Sequence, residues 1–112
     1  MTWPLCGVDQ VASHQCISVL KALADETRWS LTRELIGKPH TVGELSEGLG
    51  VPPYNVSKHL RILRQAGIVA TEKKGQSVEC RVADAFRKKL SQNQTVLDLG
   101  CCMFRFDRSS GS

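Results

Sequence analysis

Between Thr41 and Gly67 the chain reads as two short amphipathic helices hinged at a glycine and proline turn, and no other feature constrains the fold as tightly. Thr41 opens the first helix, with Glu44 three residues on as its capping-box partner. That helix runs from Val42 to Leu49 and is stopped by Gly48 and Gly50. Pro52 and Pro53 suit the first turn of the second helix, where a missing amide proton costs least. The second helix reaches about Ala66, buries Val56, Leu60 and Leu63, and closes at Gly67. Two consecutive helices of about eight and fourteen residues, joined this way, form a helix-turn-helix.

After Gly67 the hydrophobic period changes. Ile68 to Lys74 and Ser77 to Val82 read as two strands around Gly75-Gln76, a hairpin with glycine at its turn. A hairpin directly behind the second helix makes the motif winged. Upstream, Val11, Ile17, Leu20, Leu23 and Ala24 recur at roughly helical spacing. Asp25 reads as the N-cap of a helix from Glu26 to Ile36, which turns Leu31 and Leu35 inward and ends at Gly37 and Pro39. Ala83 to Leu90 reads as a last helix, with Arg87-Lys88-Lys89 as a solvated basic run. VLDLGCCMFRFD, from Val96 to Asp107, fits either a continued helix or a terminal strand.

The expected fold class is therefore mainly α with a β-hairpin wing. Its expected organisation is an N-terminal arm at 1–10, a winged helix-turn-helix domain at 11–97 and a cysteine-containing tail at 98–112. The RSSGS end reads as disordered or as an appended remnant.

At 112 residues there is room for one domain with a modest core. No apolar run approaches the roughly 18 residues of a membrane span. MTWPLCGVDQ lacks the basic start and long apolar stretch of a secretory signal, so the expected location is cytoplasmic. The net charge of +4 is unevenly spread. Residues 1–52 carry four Lys/Arg against six Asp/Glu, whereas residues 53–89 carry nine against three. A basic middle between neutral or acidic flanks fits one surface that faces a polyanion, though a merely solvated face has the same composition. Five cysteines, at 6, 16, 80, 101 and 102, form no disulfide-framework spacing and read as thiols or metal ligands.

Two stretches carry a family resemblance. LKALADETR (Leu20 to Arg28) and TVGELSEGLGVPPYNVSKHLRILRQAGIV (Thr41 to Val69) resemble the ArsR/SmtB family of winged-helix repressors. The likeness covers about residues 14–84 and is most specific at Val56-Ser57-Lys58-His59-Leu60, with Leu63 and Ala66-Gly67 after it. It implies a transcriptional repressor that binds double-stranded operator DNA, as a homodimer built from the first and last helices.

Helix geometry supplies the candidate contacts. With Val56, Leu60 and Leu63 turned inward, Tyr54, Asn55, Ser57, Lys58, His59, Arg61 and Arg64 remain for other faces. The N-terminal half of such a helix is the part that enters the major groove. Asn55 can pair with adenine, Ser57 can donate or accept, and Lys58 or Arg61 can reach guanine or phosphate. By position in the family motif, Tyr54, Asn55, Ser57, Lys58 and His59 match places that commonly touch DNA. Tyr54 is equally readable as a packing residue, and a lone helical histidine such as His59 is ordinarily surface or cap chemistry. Lys73 and Lys74, at the wing tip, suit flanking phosphate. Pro52-Pro53 stands where the family commonly has Ser-Gln, which removes a side chain that would read bases.

Family members commonly leave DNA on binding a metal ion, a metalloid or a thiol oxidant. The family's Cys-x-Cys arsenite site has no counterpart here, since Gly43 and Leu45 occupy that region. A zinc-type site on the last helix lacks histidine, because none follows His59. Cys101-Cys102 remains: an adjacent pair strains an internal disulfide but suits a soft thiophilic centre. Arsenite or another thiophilic ion bound there would take Cys6 or Cys16 as a third ligand. Ordinary packing of these cysteines, a redox switch through Cys16 or Cys102, and a constitutive repressor are the competing readings. Cys80, inside a strand, reads as packing.

Other function classes fare worse. VLDLGCC resembles the strand-to-loop start of methyltransferases, but glycines are missing after it and residues 103–112 are too few for a cofactor-binding sheet. His14 and Cys16, two positions apart on a helix, do not face each other as a thiol hydrolase requires. A winged-helix module that binds protein is the serious rival; it would not need Ser57, Lys58 and His59 beside Arg61 and Arg64.

Overall fold

The computed structural model describes residues 10–91, 96–98 and 103–106. The expected arm, apart from Gln10, lies outside them, as do Cys6, Cys101, Cys102 and the RSSGS end. Helices α1 (Gln10–Leu23) and α2 (Glu26–Gly37) lead into β1 (His40–Thr41), α3 (Val42–Leu49) and α4 (Pro53–Gln65). Strands β2 (Val69–Lys74) and β3 (Ser77–Val82) form the wing, followed by α5 (Asp84–Arg87). Three short strands close the described chain: β4 (Leu90–Ser91), β5 (Val96–Asp98) and β6 (Met103–Arg105).

Local chemistry sets the helix boundaries. Asp25 caps α2, its carboxylate accepting the amide of Arg28 at 3.1 Å. The capping box on α3 is complete: Thr41 Oγ1 accepts the Glu44 amide at 3.1 Å, and Glu44 Oε1 accepts the Thr41 amide at 3.0 Å. Gly50, at φ 68°, turns the chain out of α3 in the left-handed region that glycine enters without strain. Ser46 holds that turn by donating its hydroxyl to the Val51 carbonyl at 2.6 Å.

One core unites helices and wing. Leu31 and Leu35 of α2 are fully buried with Leu45 of α3 and Val56, Leu60 and Leu63 of α4. Ile68, Val69, Cys80 and Val82 bring the wing's base into the same cluster, and Leu97 and Phe106 bring the C-terminal strands. Among the described residues seventeen apolar side chains are buried, and the Val, Leu, Ile and Phe side chains among them each contribute about 1.5–3 kcal/mol to the stability of so small a domain.

The wing belongs to a three-stranded antiparallel sheet of order β1-β3-β2. His40 pairs with Cys80 and Thr41 with Glu79, a strand that sequence periodicity did not suggest. This pairing fixes the start of α3 to the wing, so the helix-turn-helix and hairpin cannot tilt independently.

The last helix departs from expectation. It is one turn, Asp84–Arg87, rather than Ala83 to Leu90. Leu90 instead pairs with Leu97 across β4 and β5, and Val96 with Arg105 across β5 and β6. Fully buried Leu97 explains the preference, because strand pairing places it in the core beside Phe106. Of the two conformations open to this tail, its described segments Val96–Asp98 and Met103–Arg105 take the strand.

Candidate nucleic-acid interface

The buried stripe Val56, Leu60 and Leu63 fixes how α4 is rotated. Tyr54, Asn55, Ser57, Lys58, Arg61 and Arg64 are consequently exposed. Tyr54 is 73% exposed, which decides against a packing role. The Lys58 ammonium sits 5.5 Å from the centre of the Tyr54 ring, one turn away. A cation over an aromatic face at an exposed site gains about 0.5–1 kcal/mol, enough to bias the conformation of both side chains. Tyr54, Asn55, Ser57 and Lys58 make a cationic, hydrogen-bonding outer face on the N-terminal half of the helix, and Arg61 and Arg64 continue it toward the C-terminal end.

His59 is placed differently from its neighbours. Its side chain is 24% exposed, and Nδ1 lies 3.2 Å from Nη1 of Arg28 and 3.9 Å from a carboxylate oxygen of Asp25. Arg28 donates its Nε to the Ala22 carbonyl at 2.6 Å and its Nη2 to that of Lys21 at 3.5 Å. One guanidinium thus covers carbonyls at the end of α1 and a ring on α4. The hydrogen bond that Asp25 accepts from the Arg28 amide lowers its carboxyl below the usual value; the Arg28 charge adds to this against a partial desolvation.

The wing extends the same face. Gly75 takes φ 64° in the two-residue turn, and Lys74 pairs in register with Ser77. Lys73 and Lys74 are both exposed, but Lys74 Nζ lies 3.1 Å from the Glu79 carboxylate. Arg64 bridges the two elements by donating to Thr71 Oγ1 at 3.4 Å.

A helix-turn-helix with this exposed face and wing has clear counterparts among known proteins. The family described as "Helix-turn-helix domain" matches residues 23–72. The HTH-type transcriptional regulator NmtR of Mycobacterium tuberculosis is 35% identical over 75 residues, covering 67% of this chain and 62% of NmtR. The transcriptional repressor SmtB of the same organism is 41% identical over 66 residues, covering 59% of this chain and 49% of SmtB. The match therefore spans between about half and three fifths of these two relatives. The structure of HlyU from Vibrio cholerae superposes with a TM-score of 0.65 at 33% identity, covering 67% of this chain and 82% of HlyU.

The chain belongs to the ArsR/SmtB family.

Both of these curated relatives, NmtR and SmtB, are named as transcriptional regulators or repressors. No helix among the described residues is long and apolar enough to cross a membrane.

The cysteines divide. Cys80 is a free, fully buried thiol on β3, pushed up to about 11 by burial and by the Glu79 charge. Its packing role holds. Cys16 corrects the expectation of a free thiol: it is buried on α1 and disulfide-bonded. A sulfur held in a bridge cannot ligate a metal until it is reduced. The described residues contain no cluster of three metal-ligating side chains. The expected Cys101-Cys102 pair and Cys6 lie outside them.

Arg28 joins the candidate surface although it did not stand out as a site residue, and Arg64, left on an outer face by the helix pattern, joins it through Thr71. The signal for Arg28 was an arginine inside LKALADETR, one turn beyond the capping aspartate, where a long cation can reach back over the preceding helix end.

Proposed function

We propose that this chain is a dimeric, cytoplasmic repressor that inserts α4 into the major groove of operator DNA and grips flanking phosphate with the wing. The exposed face of Tyr54, Asn55, Ser57, Lys58 and Arg61, rotated outward by the buried stripe behind it, is the observation that carries this reading. A second copy would pack along α1, where Ile17 is half exposed, and against α5 and the strands that follow. Two recognition helices about 34 Å apart then meet successive major grooves.

For release, we infer a thiophilic metal or metalloid, arsenite first, bound at Cys101 and Cys102 with reduced Cys16 or Cys6 as third ligand. The adjacent thiols suit a soft centre, and Cys16 lies on the helix assigned to the dimer seam. A second reading, favoured by the bridged Cys16, is that oxidation itself is the signal.

One titration separates them. Reduced and oxidised protein are each bound to a labelled duplex that the protein selects from a random pool, and release is followed by anisotropy. Release of the reduced form by arsenite, cadmium or zinc, lost in Cys101→Ser with Cys102→Ser, supports the metal reading. Weak binding by the oxidised form, restored by a dithiol, supports the redox one. Tight binding under every condition sinks both and leaves a constitutive repressor. Absence of salt-sensitive binding to any duplex overturns the DNA-binding reading itself.

A further inference from the structure

The geometry points to Arg28 as a positioning residue that holds His59 in one tautomer, with Nε2–H presented to the DNA backbone, tying DNA contact to the end of α1. This rests on the DNA-binding reading above.

Arg28 and His59 are 31 residues apart in sequence and meet at 3.2 Å, within hydrogen-bond range for two nitrogens. Arginine has donors and no acceptor, so one of the two atoms must be an unprotonated ring nitrogen, and that is Nδ1. The competing arrangement has Nδ1–H donating to Asp25, but that oxygen stands 3.9 Å away and accepts the Arg28 amide instead. A neutral ring with a bare Nδ1 carries its proton on Nε2. Nε2 lies on the far side of the ring from Arg28. One turn earlier on the same ridge is exposed Asn55, and exposed Lys58 adjoins. The ring therefore offers a neutral donor at the shoulder of the candidate DNA face, where phosphate rather than a base edge runs.

The other half of the device is at α1. The same guanidinium is held by the carbonyls of Ala22 and Lys21. Movement of the α1 terminus shifts Arg28, and Arg28 can release Nδ1 without any change in the α4 backbone. His59 then loses its fixed tautomer, and the outward donor is present only part of the time.

Histidine has two partial mimics that separate its edges. Gln reaches the Nε2 position with an N–H, whereas Asn reaches only as far as Nδ1 and offers its carbonyl to Arg28. The full chain and its Arg28→Met, Arg28→Lys, His59→Gln and His59→Asn variants would be compared by thermal melt, imidazole 15N NMR and affinity for the selected duplex. We expect an Nε2–H ring in the free protein. His59→Gln should bind within about twofold of the parent, whereas His59→Asn should bind about tenfold more weakly with an unchanged melt. Arg28→Met should lose about the same factor, Arg28→Lys less, and Arg28→Met with His59→Asn no more than either alone.

An Nδ1–H ring in the parent overturns the proposal, as does parental affinity in His59→Asn. Losses that multiply in the double variant overturn it too. The two histidine variants decide the matter even where Arg28→Met fails to fold. Failure of the parent to select any duplex removes the DNA reading and this proposal together. An Nε2–H ring combined with parental DNA binding in every variant removes this proposal alone.

Discussion

The rings of Trp29 and Phe106 stack with centroids 4.3 Å apart and planes inclined by 26°, joining α2 to the segment that follows the wing. Phe106 is almost wholly buried, and Leu97 is fully so. The C-terminal strands are thus part of the core. Phe106→Ala should cost about 3–5 kcal/mol, combining lost transfer, a cavity and the ring contact, while Phe106→Leu should cost well under half of that. Urea unfolding would measure both, with Trp29 emission, in a Trp3→Phe background, shifting red only in the alanine variant. A loss below about 1 kcal/mol for Phe106→Ala would mean the segment is not docked on α2.

The Asp25 cap makes an acid-side prediction. Its carboxyl is lowered from 3.8, first by the Arg28 amide it accepts and then by the Arg28 charge. A folded-state value below the unfolded one gives stabilisation that is complete above the unfolded value and lost as pH falls through the folded value. Asp25→Asn keeps a capping oxygen but no charge, so the parent's advantage over it should hold from neutral pH to about 5. It should then shrink below 3.8. Asp25→Ala, with no cap, should lose about 1 kcal/mol more at all pH values. Parallel unfolding curves from pH 7 to 3 check this; an advantage over Asp25→Asn that grows toward low pH would refute the assignment.

What could be read from the sequence was whatever depends on neighbours within a turn or two. The Asp25 cap, the Thr41 and Glu44 box, Gly67 and the Gly75 hairpin all close local hydrogen bonds, so residue type and spacing suffice. His40 pairing with Cys80 was invisible because two residues have no period and their partner lies across the motif. The last helix was overextended for a related reason: its pattern is compatible with a helix, and only the pairing of Leu90 with Leu97 ends it. On the candidate site, helix rotation was legible from Val56, Leu60 and Leu63, which placed five of the α4 candidates outward. The tie from His59 to Arg28 was not legible, since a single histidine carries no mark of a partner on another helix.

Cys80 should be chemically silent in the folded protein. Its thiol is buried between paired strands and raised to about 11, so almost no thiolate exists near neutral pH and no path reaches it. Brief iodoacetamide treatment at neutral pH, followed by peptide mapping, should leave the 75–81 peptide unlabelled while the same treatment in urea labels it fully. Native labelling at the rate of an exposed thiol would contradict the packing role. Above pH 9 the sign reverses from the Asp25 case: the unfolded thiol ionises first, so this residue's contribution declines as pH rises toward 11.

The two wing lysines should behave differently despite being adjacent. Lys74 is 3.1 Å from Glu79, and residues on alternate sides of a strand leave Lys73 on the opposite face from that carboxylate. A lysine that neutralises a phosphate contributes about one to the slope of log affinity against log salt. Lys73→Gln should therefore lower that slope by about one and weaken binding to all duplexes alike, because phosphate carries no sequence information. Lys74→Gln should change the slope by clearly less, since Glu79 already holds its ammonium for part of the time. Glu79→Gln frees Lys74 and should raise affinity and slope together. Anisotropy titrations across a salt series on the selected duplex and an unrelated one would measure all three. Equal slopes for the two lysine variants would mean the ion pair opens at no cost on DNA, and a loss confined to the selected duplex would place Lys73 on a base rather than a phosphate.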